Sequence, residues 1–362
     1  MNVAVAPNIR RGAARVLVTG GCGFIGCNLA DALATRGQPV LVVDLLSRKG
    51  AEENASWLKA QHRDRIEIVN ADVRDANAMR DAVSGAAAVL HLAAQVAVTT
   101  SLERPLEDFS INAAGTLNVL EAVRQLNSTA PVIFASTNKV YGKLLGSEDV
   151  ENTGTRYQPS DSRYAFGVSE QAPLDLYSPY GCSKGAADQY VHDYARVFGL
   201  RTAVLRMSCI YGPRQFGTED QGWIAHFLLQ AIRGETITIY GTGLQVRDAL
   251  FVDDAVAAWL GALDRIDQIA GRVFNLGGGI ENSVSLIETI DMISELHGER
   301  PALQFGTWRP GDQPWYVSDV RAISGALDWS PKISFRNGLR ALDRWITTRF
   351  GVSAVLLQEA SA

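Results

Sequence analysis

The strongest constraint on this chain is a short apolar run that ends in a glycine loop. Arg15–Thr19 (RVLVT) reads as a buried parallel strand. Gly20, Gly23 and Gly26 stand three apart directly after it, and the spacing of Cys27–Arg36 predicts a helix. Gln38–Asp44 (QPVLVVD) predicts a second strand, completing a β-α-β unit of about 30 residues. Glycine in such a loop lets the backbone touch a pyrophosphate, and the helix N-terminus adds N–H donors and the positive end of its dipole. Cys22, Phe24 and Ile25 share that loop. Asp44 closes the second strand, 18 residues after Gly26. A carboxylate there can accept from both adenosine ribose hydroxyls and would repel a 2′-phosphate, which points to NAD. Arg48, close behind, leaves NADP open. Asp72, with Val73 beside it, ends a third strand where an adenine contact would sit. The plain alternative for the whole unit is an ordinary αβ turn.

The alternation continues. Ile66–Asp72, Ala87–Ala94, Pro131–Ser136 and Arg201–Arg206 read as strands; Asn112–Gln125 and Pro179–Phe198 read as helices. Strands alternating with helices predict an α/β fold with a doubly wound parallel sheet. From about Tyr211 the rhythm breaks. A polar loop at Gln215–Trp223, an amphipathic Ile224–Arg233, short strands and a helix at Ser285–Leu296 suggest a smaller lobe built from discontinuous segments. We expect a dinucleotide-binding domain over 15–212 plus 246–279 and the lobe over 213–245 plus 280–349. Residues 1–14 read as a flexible arm and 350–362 as a mobile tail.

With 362 residues, 20% charged and 47% hydrophobic, the chain is globular in composition. Its net charge of −5 and lack of a long basic run argue against nucleic acid or an anionic membrane as partner. No apolar stretch approaches the roughly 18 residues of a spanning helix. Cys22, Cys27, Cys182 and Cys209 form no CxxC pair and have no His cluster beside them. Reduced thiols in a cytoplasmic protein, with no metal site, are the expectation.

Two further motifs carry chemistry. In Tyr180-Gly181-Cys182-Ser183-Lys184 the tyrosine and lysine, four apart, share one helix face. A cation beside the phenol favours phenolate, which can take a proton from a sugar hydroxyl as hydride leaves the carbon. Phe134–Gly142 (FASTNKVYG) follows a strand, and ligands in open α/β sheets bind at the carboxyl ends of strands. Thr137 there can hydrogen-bond the reacting oxygen. The catalytic expectation is therefore Thr137, Tyr180 and Lys184.

With these motifs in order, the chain resembles the extended short-chain dehydrogenase/reductases of the nucleotide-sugar epimerase kind, over roughly residues 15 to 349. The glycine loop, His91-Leu92-Ala93-Ala94, Asn112, Thr137 and the Tyr180/Lys184 pair fall in family order. Arg247-Asp248 and Arg309-Pro310-Gly311-Asp312 follow in the smaller lobe. The resemblance implies tightly bound NAD, contacted also by Ser47, Leu92, Ala93, Ala94, Gln95, Asn112, Tyr180 and Lys184, with Lys184 on the nicotinamide ribose. It implies that Arg247 and Arg309, with Asp312 beside them, meet the nucleotide diphosphate, a task suited to a guanidinium fork. Stretches at Ser47–Ala51, Gln95–Ser101, Ser136–Gly142, Ser178–Tyr190, Gly212–Trp223 and Asp328–Lys332 resemble the branch acting at C2 of CDP-linked hexoses. On that basis Gln95, Thr99, Asn138, Lys139, Cys209, Arg214, Gln221 and Trp223 are candidate substrate contacts.

Departures from sister activities inform too. The family's dehydratases carry an Asp-Glu pair after the threonine; here the positions are Asn138 and Lys139, so no acid is available to eliminate water. Typical 4-epimerases place Asn where this chain has Cys209. Plainer roles stand beside the sharp ones. His91 is expected to pack against the cofactor rather than act as a base. Trp223 stacks on substrate or fills the lobe's core; Lys139 reaches the sugar or is solvated. Gln95, Thr99 and Ser101 bind sugar hydroxyls or merely cap turns. The resemblance implies inversion at C2 of a CDP-sugar through a transient 2-keto intermediate, in a homo-oligomer, dimer or tetramer. A nucleotide-sugar 4-epimerase and a non-catalytic NAD-binding sensor are the alternatives.

Overall fold

The computed structural model describes residues 14–126, 129–309 and 311–351. Except for Ala14, Phe350 and Gly351, the arm and tail expected from the sequence lie outside these residues, as does Pro310. The chain enters β1 (Arg15–Thr19), turns through the glycine loop into α1 (Phe24–Thr35), and returns as β2 (Val40–Asp44). Then come β3 (Ile66–Asn70), β4 (Ala86–His91) and β5 (Val132–Thr137). With Thr202–Met207 and Arg272–Leu276 they make one seven-stranded sheet. Its order is Arg272–Leu276, Thr202–Met207, β5, β4, β1, β2, β3, and every pairing is parallel. Strand order reverses between β1 and β4, which opens a crevice at their carboxyl ends.

The strands read as unbroken apolar runs because helices cover both faces of the sheet. Alternate residues go to opposite layers: Val16, Val18, Val40, Val42 and Ile133 to one core, Leu17, Leu41, Val43, Val132 and Phe134 to the other. Boundaries differ from expectation in physically sensible places. α1 begins at Phe24, with Gly23 as its N-cap, so Gly26 lies within the first turn. The helix expected from Asn112 opens with a π turn, Ser110–Ala114, before Gly115–Leu126. That wide turn coincides with an Asn112 amide tied to Gln95 and Asp108. The helix after Ser285 is capped by that serine, with Glu288 answering it.

The smaller lobe is discontinuous. Ile237–Tyr240 pairs with Leu303–Gly306; Val246–Phe251 pairs with Cys209–Tyr211, Ser283–Ser285 and Trp315–Tyr316. The stretch 246–279 therefore divides. Arg272–Leu276 forms the edge of the large sheet, and the helix Val252–Asp264 packs against α1. Val246–Phe251, buried at all six positions, belongs instead to the smaller sheet.

Candidate active site

One cavity of about 610 Å³ runs from the glycine loop across the carboxyl end of the sheet to the smaller lobe. Its first end is built from backbone. Gly20 has φ +69°, and a Cβ there would stand 2.7 Å from the Ala93 nitrogen. A Cβ on Gly26 would run into the Gly20 carbonyl. No side chain caps α1, and no acidic residue lies in its first turn, so the N–H groups of Phe24, Ile25 and Gly26 are open to an anion. Asp44 is held rigidly: Cys22 N donates to Oδ2 at 2.9 Å and Leu46 N to Oδ1 at 2.8 Å. Ser47, Arg48, Asp72, Val73, Leu92, Ala93 and Ala94 share this wall. Asp72 is engaged by Arg74, whose Nε donates to both carboxylate oxygens at 3.0 and 2.9 Å. The uncapped helix, the glycine cradle and the fixed carboxylate fit a dinucleotide.

The middle of the cavity carries the reactive groups. Thr137 ends β5, and Tyr180 and Lys184 come from the buried face of the helix Ser178–Phe198. Thr137 and Tyr180 both face this part of the cavity. Burial dominates the phenol and pushes its pKa up to about 12, against the pull of the neighbouring Thr137 hydroxyl. The sequence led us to expect a phenolate favoured by Lys184. Burial, rather than Lys184, governs the phenol: Lys184 Nζ donates to the Ala135 carbonyl at 2.6 Å and lies 4.1 Å from the centre of the Phe134 ring. Burial also lowers Lys184 to about 7, with Asp188 and Asp108 opposing. Behind this group, Asp188 receives Ser136 Oγ at 2.6 Å and a bidentate Arg206 at 2.9 Å. Among these, Asp188 and Arg206 carried no signal in the sequence, because their pairing spans separate elements.

The far end belongs largely to the smaller lobe. Thr99, Asn138, Lys139, Cys209, Trp223, Arg247, Arg309 and Asp312 line it, while Arg214 and Gln221 line the cavity but reach back to Trp57 and Arg48 at the glycine-loop end. Lys139 Nζ donates to the Gly311 carbonyl at 3.2 Å, and burial lowers its pKa. Arg247 pairs with Asp312. Arg309 pairs with Glu219 at 3.2 Å and lies 4.0 Å from the centre of the Tyr240 ring. Trp223 Nε1 meets Cys209 Sγ at 3.5 Å and its ring packs on Phe227, so it both faces the cavity and joins the lobe's core.

Four expected contacts are not on the cavity wall. Gln95 spends its amide on Ala97 and Asp108, and Asn112 bonds Gln95, Asp108 and Ser183. Ser101 donates to Val98 and receives Tyr180 N, so it holds the start of the helix that carries Tyr180. His91 is fully buried between Thr19 and Thr116, behind the wall rather than on it. Burial drops its pKa to about 3, which keeps it neutral. Conversely, Asn54, Tyr240 and Gln245 line the cavity without having been singled out. Their periodicity marks only ordinary helix, loop and strand.

Residues 16–277 match the NAD dependent epimerase/dehydratase family. CDP-paratose 2-epimerase of Salmonella typhi is 43% identical over 341 residues, covering 92% of this chain and 99% of that one. A putative UDP-glucose 4-epimerase of Methanocaldococcus jannaschii is 32% identical, covering 91% and 98%. The crystal structure of UDP-glucuronic acid 4-epimerase from Bacillus cereus, in complex with UDP-glucuronic acid and NAD, superposes with a TM-score of 0.79 at 26% identity, covering 93% of this chain and all of that one.

Proposed function

The chain belongs to the NAD dependent epimerase/dehydratase family, and from that premise we propose that it inverts C2 of a CDP-linked hexose, converting CDP-paratose to CDP-tyvelose through a transient 2-keto sugar. The observation that carries this reading is likeness to the Salmonella typhi enzyme along almost its entire length. Asn138 and Lys139 support it, since neither can act as the carboxylic acid of a dehydratase. CDP-glucose to CDP-mannose is the same inversion on a sugar keeping its 3- and 6-hydroxyls.

Gly20–Gly26, Asp44 and the strand end at Leu92–Ala94 would hold NAD, and the chemistry it supplies when bound is reversible hydride transfer. As the phenolate, Tyr180 Oη would take the proton of the C2 hydroxyl and give it back when the carbonyl is reduced. Thr137, which lines the cavity with that phenol, orients the sugar oxygen. Lys184 lies one helical turn from the phenol, and in its charged form it would favour the phenolate state. Lys139, Arg247 and Arg309 bring positive charge to the end that would take the diphosphate. The reaction leaves no net redox change.

The test is incubation of the purified protein with CDP-paratose, without added cofactor, followed by hydrolysis and identification of the sugar. Tyvelose is expected. Abequose, the C4 epimer, would overturn C2 inversion in favour of a 4-epimerase, the activity named for the Methanocaldococcus jannaschii relative. The sensor alternative would gain if Tyr180→Phe left the biological activity intact. We also propose that the chain self-associates. Leu106, Phe109 and Val197 are 85%, 57% and 59% exposed on neighbouring helices, an apolar face suited to a second copy. Among the described residues no helix is long and apolar enough to cross a membrane.

A further inference from the structure

We propose that the loop 212–222 of the smaller lobe and the segment 45–57 after β2 form a clasp over the dinucleotide end of the cavity, and that parting this clasp limits the rate at which bound NAD leaves. The inference rests on the cofactor assignment above and not on the identity of the sugar.

Four contacts join the two segments. The Phe216 ring lies directly against Gly50, so closely that a Cβ there would overlap it. Gly50 has φ +84°, so both backbone and space require glycine. Arg48 donates to Gln221 Oε1. The Arg214 guanidinium sits 3.7 Å from the centre of the Trp57 ring. Asn54, 2% exposed, donates through Nδ2 to the Arg214 carbonyl at 3.4 Å and to the Cys22 carbonyl at 3.1 Å. A single buried amide thus ties the lobe's loop to the glycine loop itself.

The clasp is also braced from outside. Trp345 meets the Phe216 ring edge-on at 5.6 Å, and Phe350 follows at 6.5 Å. Arg349 pairs with Glu53 at 2.5 Å, joining the last helical turn to the helix that carries Asn54 and Trp57. At the root of the loop, Asn28 Nδ2 donates to the Pro213 carbonyl at 3.2 Å.

Arg48, Asn54, Phe216 and Gln221 line the cavity together with Gly20, Gly26 and Asp44. A dinucleotide leaving at this end must part the two segments. Contacts that break together multiply in the dissociation rate, so several modest ones suffice to slow exit. For a reaction with no net redox change, retention costs nothing in turnover, because hydride returns to the sugar within one cycle.

The test compares the full-length wild type with Phe216→Ala and Gln221→Ala. Dinucleotide released on denaturation after gel filtration is quantified, and exchange is followed with isotopically labelled NAD+. The expected result is near-stoichiometric NAD in the wild type, and exchange about tenfold faster or more in each variant. Melting curves and far-ultraviolet circular dichroism report folding. Gln221 is a partly exposed loop residue, so its truncation leaves the fold intact even if Phe216→Ala does not. A wild type that exchanges as fast as the variants, or variants that exchange at the wild-type rate, would overturn the clasp. Tyvelose formation under saturating NAD+ separates the two readings. Rapid exchange with tyvelose formed sinks the clasp alone. Retained NAD with CDP-paratose untouched sinks C2 inversion alone.

Discussion

At the residue scale, burial sets the starting state of the reactive groups and neighbouring charge tunes it. Tyr180→Phe removes the proton acceptor while keeping the ring, so epimerisation should fall by about 10²- to 10⁴-fold. The NAD content of the purified protein, measured alongside, should change little. Lys184 gives a pH signature. Its folded pKa of about 7 lies below the ordinary 10.5, so between those values the unfolded chain holds a proton that the folded chain lacks. Stability therefore rises with pH through that window, and is insensitive to this group below it, where both states are protonated. The melting temperature of nucleotide-free wild type should accordingly gain on that of Lys184→Met between about pH 7 and 9. A constant difference would show that Asp188 and Asp108 keep the lysine charged. His91 shows how far a motif reads: its place at the end of β4 was legible, but its bonds to Thr19 and Thr116 were not, since those partners lie 72 and 25 residues away.

At the element scale, the β1–loop–α1 unit is where sequence and structure agree most closely. Gly23 and Gly26 let the helix's first turn approach the Gly20 carbonyl, while Gly20, at φ +69°, lets the loop pass against the backbone of Leu92 and Ala93. Gly26→Ala would press a methyl group onto the Gly20 carbonyl. It should destabilise the protein by about 1–3 kcal/mol and lower NAD content, read by thermal melting and by nucleotide release. The π turn before Gly115 was not legible, because periodicity over a long helix hides one inserted residue. The short segment Val246–Phe251 was misplaced for a related reason. A fully buried apolar run has no period to say which sheet it joins, and here it sits at the centre of the smaller one.

At the scale of the whole molecule, the exposed apolar face over the helices Pro105–Phe109 and Ser178–Phe198 predicts self-association. Leu106→Lys together with Phe109→Lys should reduce the mass measured by light scattering in solution. Unchanged mass would place any interface elsewhere. The same scale explains why Gln95 and Asn112 stand off the cavity wall. They lie beside it in sequence, but Asp108 and Ser183 draw them into a buried polar network between helices.

What the sequence by itself determined was whatever local geometry dictates: the parallel strands, the glycine loop, the carboxylate after β2, and the tyrosine and lysine one helical turn apart. Each is fixed by a period or a spacing within about 30 residues. What only the tertiary structure decided was which side chains meet across long separations. Asp188 with Arg206, Phe216 against Gly50 and Asn54 between two loops are such meetings. So is the protonation state of Tyr180, because burial is a property of the packed molecule and no spacing of residues encodes the solvent excluded around a group.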